Sequence, residues 1–250
     1  MVMAGDKIIN ILWTGGLDST YRIIELSQYA VIVQPYYLID PLRQSTKYEI
    51  QAMNRIRGLL LHNKKTSFKL LQTKYVDIRK IPADEEITQS YIKLYEKYKL
   101  GSQYDWLARF AKYADLQLEL SLEKSPRGKG TRTISNECKM VIEQVGALSV
   151  YKIDEAFSSK EAYHVFGNFR FPCTLWTKTK EQEVAEMKRL GMGDVLSCTW
   201  FCHHPIFGLT CGHCNPCRDA FREGMGWRVS KLGWTFGLVR ELIEKLCSLW

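Results

Sequence analysis

The residue types that bind phosphates are concentrated in ILWTGGLDST, positions 11–20 of the 250-residue chain. Two glycines directly after an apolar run let the backbone turn tightly and present its N–H groups to a ligand. A helix that begins at the same point adds the positive end of its dipole. The segment therefore predicts an anion cradle for phosphate or pyrophosphate. The predicted nucleotide-binding residues are Leu12, Trp13, Thr14, Gly15, Gly16, Leu17, Asp18, Ser19 and Thr20.

Asp18 and Ser19 are the predicted catalytic residues of this segment. A serine hydroxyl can donate to a phosphate oxygen, and an aspartate can hold Mg²⁺ or fix the loop. The alternative is an ordinary strand-to-helix turn with a capping Asp or Ser. The segment is neither a Walker A loop nor a dinucleotide-binding fingerprint, which excludes the two commoner nucleotide-binding folds.

Cysteines carry the second chemical signal, because five of the eight lie between positions 198 and 217. A C-x8-C-x2-C-x2-C pattern lets four thiolates converge on one ion and predicts a closed, structural zinc site. Its predicted ligands are Cys202, Cys211, Cys214 and Cys217. An iron–sulfur cluster is the competing interpretation. Other potential ligands are Cys198 in place of Cys202, and His203, His204 and His213.

Strands and helices alternate through the first third of the chain. Runs rich in β-branched and aromatic residues, KIINILW, VIVQPYYLID and SFKLLQTKYVDI, predict three strands. Two helices are predicted between them, the second beginning after Ser45 as its N-cap. This alternation predicts a parallel sheet with right-handed crossovers.

The rest of the chain is predicted to be mainly helical. Helices are expected over most of 82–122, over SNECKMVIEQVGAL, over KTKEQEVAEMKRLG with Gly191 closing it, and over WTFGLVRELIEKLCSLW. The stretch KSPRGKGTR is predicted to be a mobile loop, because Pro and two Gly interrupt the helical pattern.

Composition excludes several classes of protein. Hydrophobic residues make up 46% and aromatic residues 12% of the chain, which argues against disorder. No apolar run approaches the roughly 18 residues of a membrane span, and the N-terminus lacks the features of a signal peptide. A cytoplasmic location is therefore expected. The net charge of +8 favours anionic partners such as nucleotides, carboxylates or an acidic protein surface.

WTGGLDST resembles the SGGxDS loop of the PP-loop ATPases, with Thr14 where that family usually has Ser. With the cysteine pattern, the chain resembles the 7-cyano-7-deazaguanine synthase (QueC-like) family, in which TCY…CGxCxxC follows a Thr-Lys helix. Here TWFCHHPIFGLTCGHCNPCR follows FPCTLWTKTKEQEVAEMKRLG. The resemblance selects Cys202 over Cys198. In the middle of the chain it is limited to RQSTKYEI and GSQYDWLARFAKYAD.

This resemblance implies an α/β fold with a parallel-sheet, Rossmann-like PP-loop domain over residues 1–195. A zinc-binding and helical segment over 196–250 is expected to pack on the same domain. The implied cofactors are ATP, Mg²⁺ and structural Zn²⁺. The implied enzyme is a ligase that adenylates the carboxylate of 7-carboxy-7-deazaguanine, or a related deazaguanine, for attack by an amine, splitting ATP into AMP and pyrophosphate.

The same resemblance suggests basic residues for holding the carboxylate or the leaving phosphates. Lys178 and Lys180 are predicted catalytic residues on this basis, and Arg127, Lys129 and Arg132 are candidates for a basic lid. The alternative is that all five are solvated surface cations on a helix and a linker.

The attacking amine is the open question. YYLIDPLRQ, Gly101–Tyr104 and Trp13 depart from the family pattern where base and acceptor contacts are expected. An antiphage-defence branch (type IV CBASS) joins the deazaguanine carboxyl to a protein amine, and this activity is favoured. The alternatives are nitrile synthesis with ammonia, a tRNA-modifying PP-loop enzyme and a non-catalytic nucleotide-binding scaffold. The expected partners are the deazaguanine and a protein acceptor, not nucleic acid or a membrane, and a homodimer is left open.

Overall fold

The apolar run before the two glycines forms the first strand of a central sheet in the computed structural model, which describes residues 8–123, 125 and 128–247. The eight strands are β1 (Ile8–Leu12), β2 (Ile32–Ile39), β3 (Lys69–Leu70), β4 (Lys74–Asp77), β5 (Leu118–Glu119), β6 (Lys139–Val145), β7 (Leu148–Asp154) and β8 (Phe169–Pro172). They are ordered β3–β2–β1–β5–β8–β7–β6, with β4 also paired to β2. β1 to β5 and β8 pair in parallel, whereas β7 is antiparallel to both of its neighbours.

Helices cover both faces of the sheet. They are α1 (Leu17–Leu26), α2 (Thr46–His62), α3 (Glu85–Tyr98), α4 (Gln103–Tyr113), α5 (Lys129–Glu137), α6 (Lys160–Phe166), α7 (Cys173–Thr177), α8 (Lys180–Arg189), α9 (Gly193–Cys198), α10 (Asn215–Arg222) and α11 (Lys231–Cys247). One apolar core lies between the sheet and α1, α2, α8 and α9, and a second lies under α3, α4 and α6. The mixed α/β architecture with a mostly parallel, Rossmann-like sheet confirms the coarse fold prediction.

The strand order reverses at β1, because the chain first moves to β2 on one side and later returns to β5 on the other. In open parallel sheets, such a reversal leaves a crevice at the carboxyl ends of the two adjacent strands, where ligands bind. The two glycines of the ILWTGGLDST segment follow β1 at this crevice.

The predicted third strand is divided into β3 and β4. Val33 O accepts a hydrogen bond from Leu71 N (2.9 Å), so Pro35, two residues further on, faces the same neighbouring segment. Proline has no N–H to donate, and the ladder is interrupted opposite it. Pairing resumes where Tyr36 aligns with Lys74.

Two helix predictions were wrong. Residues 118–119 form β5 in the middle of the sheet, after α4 has ended near Asp115, which has a φ of +49°. The predicted helix SNECKMVIEQVGAL is instead the end of α5 followed by the β6–β7 hairpin. Its alternating KMVIEQV run suits a strand, and Gly146, with a φ of +63°, allows the tight turn.

The predicted loop KSPRGKGTR was wrong in part, because α5 begins at Lys129. Ser45 occupies the N-cap position of α2 as predicted, but its side chain does not cap the helix. Its backbone is already helical, and its hydroxyl donates instead to Glu49 Oε1 (2.6 Å). Gly191, with a φ of +74°, follows α8 as predicted. Among the described residues, no helix is long and apolar enough to cross a membrane.

Candidate functional site

The glycine loop, residues 13–16, connects β1 to α1 and is supported from below by buried groups. Trp13 is fully buried; its backbone N–H donates to Tyr36 O (2.9 Å) and its indole N–H to Thr20 Oγ1 (3.1 Å). Gly15 has a φ of +69°, and a Cβ there would lie 3.1 Å from backbone and side-chain atoms of α2. Glycine is therefore required at this position for both conformation and space.

The N-terminus of α1 opens onto the glycine loop without a capping side chain, because Gly16 occupies the N-cap position. Asp18 lies in the first turn, and its buried Oδ1 has no hydrogen-bond partner among the described residues. Ser19 Oγ lies 3.5 Å from both Thr14 N and Gly16 O, at the limit of hydrogen bonding. The first-turn N–H groups and the helix dipole are thus available to an anion.

Two cavities meet at the glycine loop. The aromatic cavity, of about 330 Å³, lies over the carboxyl ends of β1, β2 and β5, and its walls include Leu12, Tyr36, Tyr104, Trp106, Leu120 and Leu122. The cysteine-side cavity, of about 240 Å³, is walled by Lys180, Trp200, Phe201, Asp219, Glu223 and Arg228 among others. Thr14, Gly16, Leu17, Asp18, Arg43 and His203 line both cavities.

Most of the predicted nucleotide-binding residues line these cavities. Those that do are Leu12, Trp13, Thr14, Gly16, Leu17, Asp18 and Ser19. Gly15 packs on α2 and Thr20 bonds Trp13, so both support the loop from behind.

Three carboxylates converge beside the glycine loop. Oxygens of Asp18, Glu123 and Glu183 lie within 4.8 Å of one another. Glu183 is fully buried, and neither of its oxygens has a hydrogen-bond partner among the described residues. Burial, reinforced by the charge of Asp18, raises the pKa of Glu183 to about 10 and that of Glu123 to about 7. A divalent cation would satisfy these oxygens, so the group fits a hard metal ion such as Mg²⁺.

The two predicted catalytic lysines have different surroundings. Lys180 lines the cysteine-side cavity, and its Nζ lies 2.7 Å from Glu123 Oε1. Burial opposes its charge, but the carboxylates of Asp18 and Glu123 raise its pKa above the usual range. Lys178 instead donates to Tyr21 Oη (2.8 Å) and lies 3.7 Å from Glu186, and it lines neither cavity.

The candidates for a basic lid lie away from the cavities where the structure describes them. Arg132 donates to Tyr98 O (3.1 Å) on α3, and Lys129 is exposed at the start of α5. Arg127 lies outside the described residues.

Arg228 is a cation of the cysteine-side cavity that the sequence did not predict as a site residue. It donates to Thr199 Oγ1 (2.7 Å), and its guanidinium lies 4.4 Å from the centre of the Phe201 ring. It forms no ion pair with any described residue, and burial lowers its pKa to about 10. A poorly solvated guanidinium without a carboxylate partner favours binding of an anionic ligand.

Arg43 is held at the border of the two cavities by a buried carboxylate. Glu49 accepts from Arg43 Nε (2.9 Å), from Ser45 Oγ (2.6 Å) and from Tyr37 Oη (2.8 Å). These three hydrogen bonds satisfy the Glu49 charge and fix the Arg43 side chain beside the glycine loop.

The four predicted metal ligands come together as a buried group. The sulfurs of Cys202, Cys211, Cys214 and Cys217 lie within 4.8 Å of one another. The Cys202–Cys214 and Cys211–Cys217 pairs are each 3.9 Å apart, close to the roughly 3.8 Å edge of a tetrahedron with 2.3 Å metal–sulfur bonds. The arrangement is compatible with zinc. Cys198 and the three neighbouring histidines are not in the group.

The cysteine segment is attached directly to the glycine loop. Trp200 N donates to Gly15 O (2.9 Å), and the Trp200 indole N–H donates to Cys202 O (2.8 Å). The Trp200 ring stacks on Tyr48 of α2, with ring centres 4.9 Å apart. The four cysteines also belong to the core beneath β1 and α1. A metal bound by them would therefore stabilise the loop that faces both cavities.

Glu123 and Glu183 were missed for different reasons. Glu123 follows β5 at the carboxyl edge of the sheet, a position that predicts ligand contact once β5 is recognised as a strand. Glu183 lies on the apolar face of α8 with Val184 and Met187, all three buried. A charged residue on the apolar face of a predicted helix was the feature of the sequence that could have indicated Glu183 as a site residue.

No protein-family model matches the chain, and no curated protein matches it significantly in sequence.

Proposed function

We propose that this protein is an ATP-dependent ligase that activates a carboxylate as an acyl adenylate for attack by an amine. The observation that carries the proposal is the convergence of Asp18, Glu123 and Glu183 beside the N-terminus of α1, where Asp18 lines both cavities. A triphosphate needs a cation and N–H donors, and two cavities offer separate places for a nucleotide and an acid.

The acid is proposed to be 7-carboxy-7-deazaguanine or a related deazaguanine. This choice rests on the resemblance of WTGGLDST and of the cysteine pattern to the 7-cyano-7-deazaguanine synthase family. The flat, polar base of such an acid suits the Trp200 and Phe201 walls of the cysteine-side cavity. Its carboxylate would pair with Arg228 or Lys180, both cations of that cavity.

The nucleotide is proposed to place its base in the aromatic cavity, among Tyr36, Tyr104 and Trp106. Its phosphates would then reach Gly16 and the free N-terminus of α1. Arg43 lines both cavities, so it is positioned to contact phosphates that extend from one cavity into the other.

Asp18, Glu123 and Glu183 would hold Mg²⁺, the proposed occupant of the three-carboxylate group, whose charge would offset that of the phosphates and of the pyrophosphate leaving group. Zn²⁺ is the proposed occupant of the four-cysteine group. A closed set of four thiolates leaves no position for substrate, so the role of zinc would be structural. The donor atoms present support both assignments.

The reaction needs two displacements. In the first, a carboxylate oxygen attacks the α-phosphorus of ATP, and the bond to the bridging oxygen breaks to release pyrophosphate. In the second, a neutral amine nitrogen attacks the acyl carbon, the carbon–oxygen bond to AMP breaks, and the nitrogen releases a proton to solvent as the amide forms. Lys180, charged at neutral pH because Asp18 and Glu123 adjoin it, would stabilise the negative charge that develops on the phosphates.

A protein amine is the proposed acceptor, as part of antiphage defence, with ammonia as the alternative that leads to the nitrile. Thiolation of tRNA is disfavoured, because no cysteine of the described chain lines either cavity. Such chemistry needs a reactive thiol near the nucleotide.

Pyrophosphate release is the first test. Purified protein with ATP, Mg²⁺ and 7-carboxy-7-deazaguanine should release pyrophosphate, and Asp18→Asn should lower the rate by at least about 100-fold. Asp194→Asn is the matched control, because Asp194 is an exposed acid in the first turn of α9, away from both cavities. Absence of release with any deazaguanine acid would refute the proposal.

The acceptor is identified by the mass of the product. Ammonia and candidate acceptor proteins are offered together with the acid and ATP. A deazaguanine mass added to a protein amine supports conjugation, whereas a free amide or nitrile supports the ammonia-dependent activity.

A further inference from the structure

The helix α10 presents one of its faces to the cysteine-side cavity. The residues of this face are spaced i, i+3, i+4 and i+7, and they are Pro216, Asp219, Ala220 and, directly after the helix, Glu223. Residues at this spacing lie on one side of a helix. The start of α10 is anchored, because Cys214 is its N-cap, Cys217 lies in its first turn, and both belong to the four-cysteine group.

Four carboxylates of the described residues line the cysteine-side cavity, and three of them are already engaged. Asp18 belongs to the three-carboxylate group. Glu49 accepts three hydrogen bonds from neighbouring side chains. Glu223 lies 3.7 Å from Lys180 Nζ. The fourth carboxylate is that of Asp219, for which the proposed reaction has no other use.

The carboxylate of Asp219 can exchange its present partner for a ligand. Its Oδ1 accepts from Arg222 Nη1 (3.2 Å), three residues further along the chain. The Asp219 side chain is 42% exposed and that of Arg222 is 57% exposed. Because an ion pair between two such exposed side chains contributes little to stability, replacing Arg222 by the N–H donors of a ligand has a low cost.

A planar carboxylate binds most strongly to two parallel N–H donors. A guanine-type base offers such a pair on one edge, in its N1–H and its 2-amino group. A hypoxanthine-type base lacks the 2-amino group, and a xanthine-type base has an acceptor oxygen in its place. A carboxylate at the cavity wall therefore distinguishes the three bases by their substituent at position 2.

The position of Asp219 relative to the cations of the cavity suits this edge. Glu223, the neighbour of Lys180, follows Asp219 by one helical turn, so Asp219 lies about 6 Å further along the cavity wall. In a 7-carboxy-7-deazaguanine molecule, the carboxylate and the 2-amino edge are at opposite ends of the two fused rings. With its carboxylate at Lys180 or Arg228, the acid would direct its donor edge towards Asp219.

We propose that Asp219 determines the specificity for the base, because its carboxylate accepts from N1–H and from the 2-amino group of a guanine-type acid in the cysteine-side cavity. This inference rests on the proposed ligase activity and adds to it the residue that selects a 2-amino base. It concerns the choice of the acid and not the adenylation step.

The test compares three acids, the 7-carboxy derivatives of 7-deazaguanine, 7-deazahypoxanthine and 7-deazaxanthine, in pyrophosphate release with ATP and Mg²⁺. For the wild type, kcat/KM should be at least about tenfold higher with the guanine-type acid than with either of the others. Asp219→Asn should shift the ratio of the guanine-type to the xanthine-type acid by at least about 100-fold towards xanthine. The Asn amide would donate to the 2-oxygen of xanthine and accept from its N1–H.

Arg222→Gln is the matched control, since it removes the partner of Asp219 and leaves the carboxylate. It should keep the wild-type preference, whereas a role of Asp219 confined to its ion pair would make the two variants behave alike. Thermal unfolding shows whether each variant is folded, and Asp219→Ser, which should lose the preference without inverting it, replaces the Asn variant if that fails to fold.

Calorimetric binding of the three acids without ATP separates this inference from the ligase activity. A wild type that releases no pyrophosphate but binds the guanine-type acid most tightly refutes the ligase activity and retains the role of Asp219. A wild type without preference for the guanine-type acid overturns the inference, as does a folded Asp219→Asn variant that keeps the wild-type preference or an Arg222→Gln variant that loses it.

Discussion

Glu183→Gln is predicted to stabilise the protein in the absence of Mg²⁺. With a pKa raised from 4.5 to about 10 by burial, Glu183 keeps its proton in the folded chain at pH values where the unfolded chain has released it. Between these two values, each pH unit lowers the free energy of unfolding by about 1.4 kcal/mol. At pH 7 the free energy of unfolding of the wild type is therefore about 3 kcal/mol lower than at acid pH. The Gln side chain does not titrate, so the variant does not lose this stability.

The free-energy costs of burying a Gln amide and a protonated Glu carboxyl are similar and largely cancel in the comparison. Both are neutral polar groups, and the described residues offer neither a hydrogen-bond partner at this position. Each kcal/mol shifts the melting temperature of a chain of this size by about 2–4 °C. The variant should therefore melt roughly 6–12 °C higher than the wild type at pH 7. This gain should grow towards pH 9 and disappear towards pH 4.5.

Mg²⁺ should narrow the difference in stability between the Glu183→Gln variant and the wild type. A ligand at 100 times its Kd stabilises the folded state by about 2.7 kcal/mol, and loss of one carboxylate ligand should weaken Mg²⁺ binding at least about tenfold. Wild-type protein should therefore gain stability with Mg²⁺, increasingly at higher pH as Glu183 is more easily ionised, whereas the variant should gain about half as much or less.

The assay is thermal unfolding from pH 5 to pH 9, with and without Mg²⁺, in dialysed protein that has not met a chelator, so that thiolate-bound metal is kept. Glu186→Gln is the control on the same helix. Its carboxylate accepts from Arg189 (2.8 Å), and that hydrogen bond lowers its pKa, so its removal should not stabilise the protein. A Glu183→Gln variant that melts below the wild type at pH 7, or that responds equally to Mg²⁺, would refute the reasoning.

Two further substitutions test the geometry of the site. Gly15→Ala should lower the free energy of unfolding by about 1–3 kcal/mol in denaturant titration, since it adds a Cβ at positive φ 3.1 Å from α2; an unchanged midpoint would contradict the described loop. Arg228→Lys should raise the KM for the carboxylate substrate by about tenfold or more while leaving the KM for ATP within about twofold, and equal changes in both would place Arg228 on the nucleotide instead.

The sequence predicted those elements in which local pattern and tertiary role agree. β1, α1 and the glycine loop combine an apolar run, two glycines and a helix start, and each is found where expected. The cysteine spacing likewise predicted the buried group of four thiols. Cys202 was preferred to Cys198 because of the regular four-cysteine spacing and the family resemblance. α8 was recognised from its amphipathic pattern and its closing Gly191.

The errors arose where pairing across the sheet decides the structure. β5 has two residues in the ladder, too few for a period-two pattern to stand out, and its place between β1 and β8 depends on partners far away in the chain. The β6–β7 hairpin was predicted as a helix, because its residues also suit a helix. Because β5 was not predicted, Glu123 was not recognised as a residue at the carboxyl edge of the sheet, where ligand contact is expected.

The chemistry of Lys178 and Arg228 could not be assigned without side-chain surroundings. Lys178 and Lys180 are two residues apart, yet one meets Tyr21 and the other meets Glu123. Arg228 lies in a single helical turn with no motif around it, and only its burial beside Phe201 marks it as a ligand-facing group.

The hydrogen bond from Trp200 N to Gly15 O has a consequence for the order in which the protein is made. A ribosome releases the glycine loop well before Trp200, because the two lie far apart in the chain. At about 5–20 residues per second, the loop waits many seconds for the group that holds its carbonyl. The proposed nucleotide site is thus completed only after the cysteine segment has been synthesised. A nascent or truncated chain that ends before the cysteine segment lacks this hydrogen bond, and the unfinished protein is thereby kept from forming the complete site.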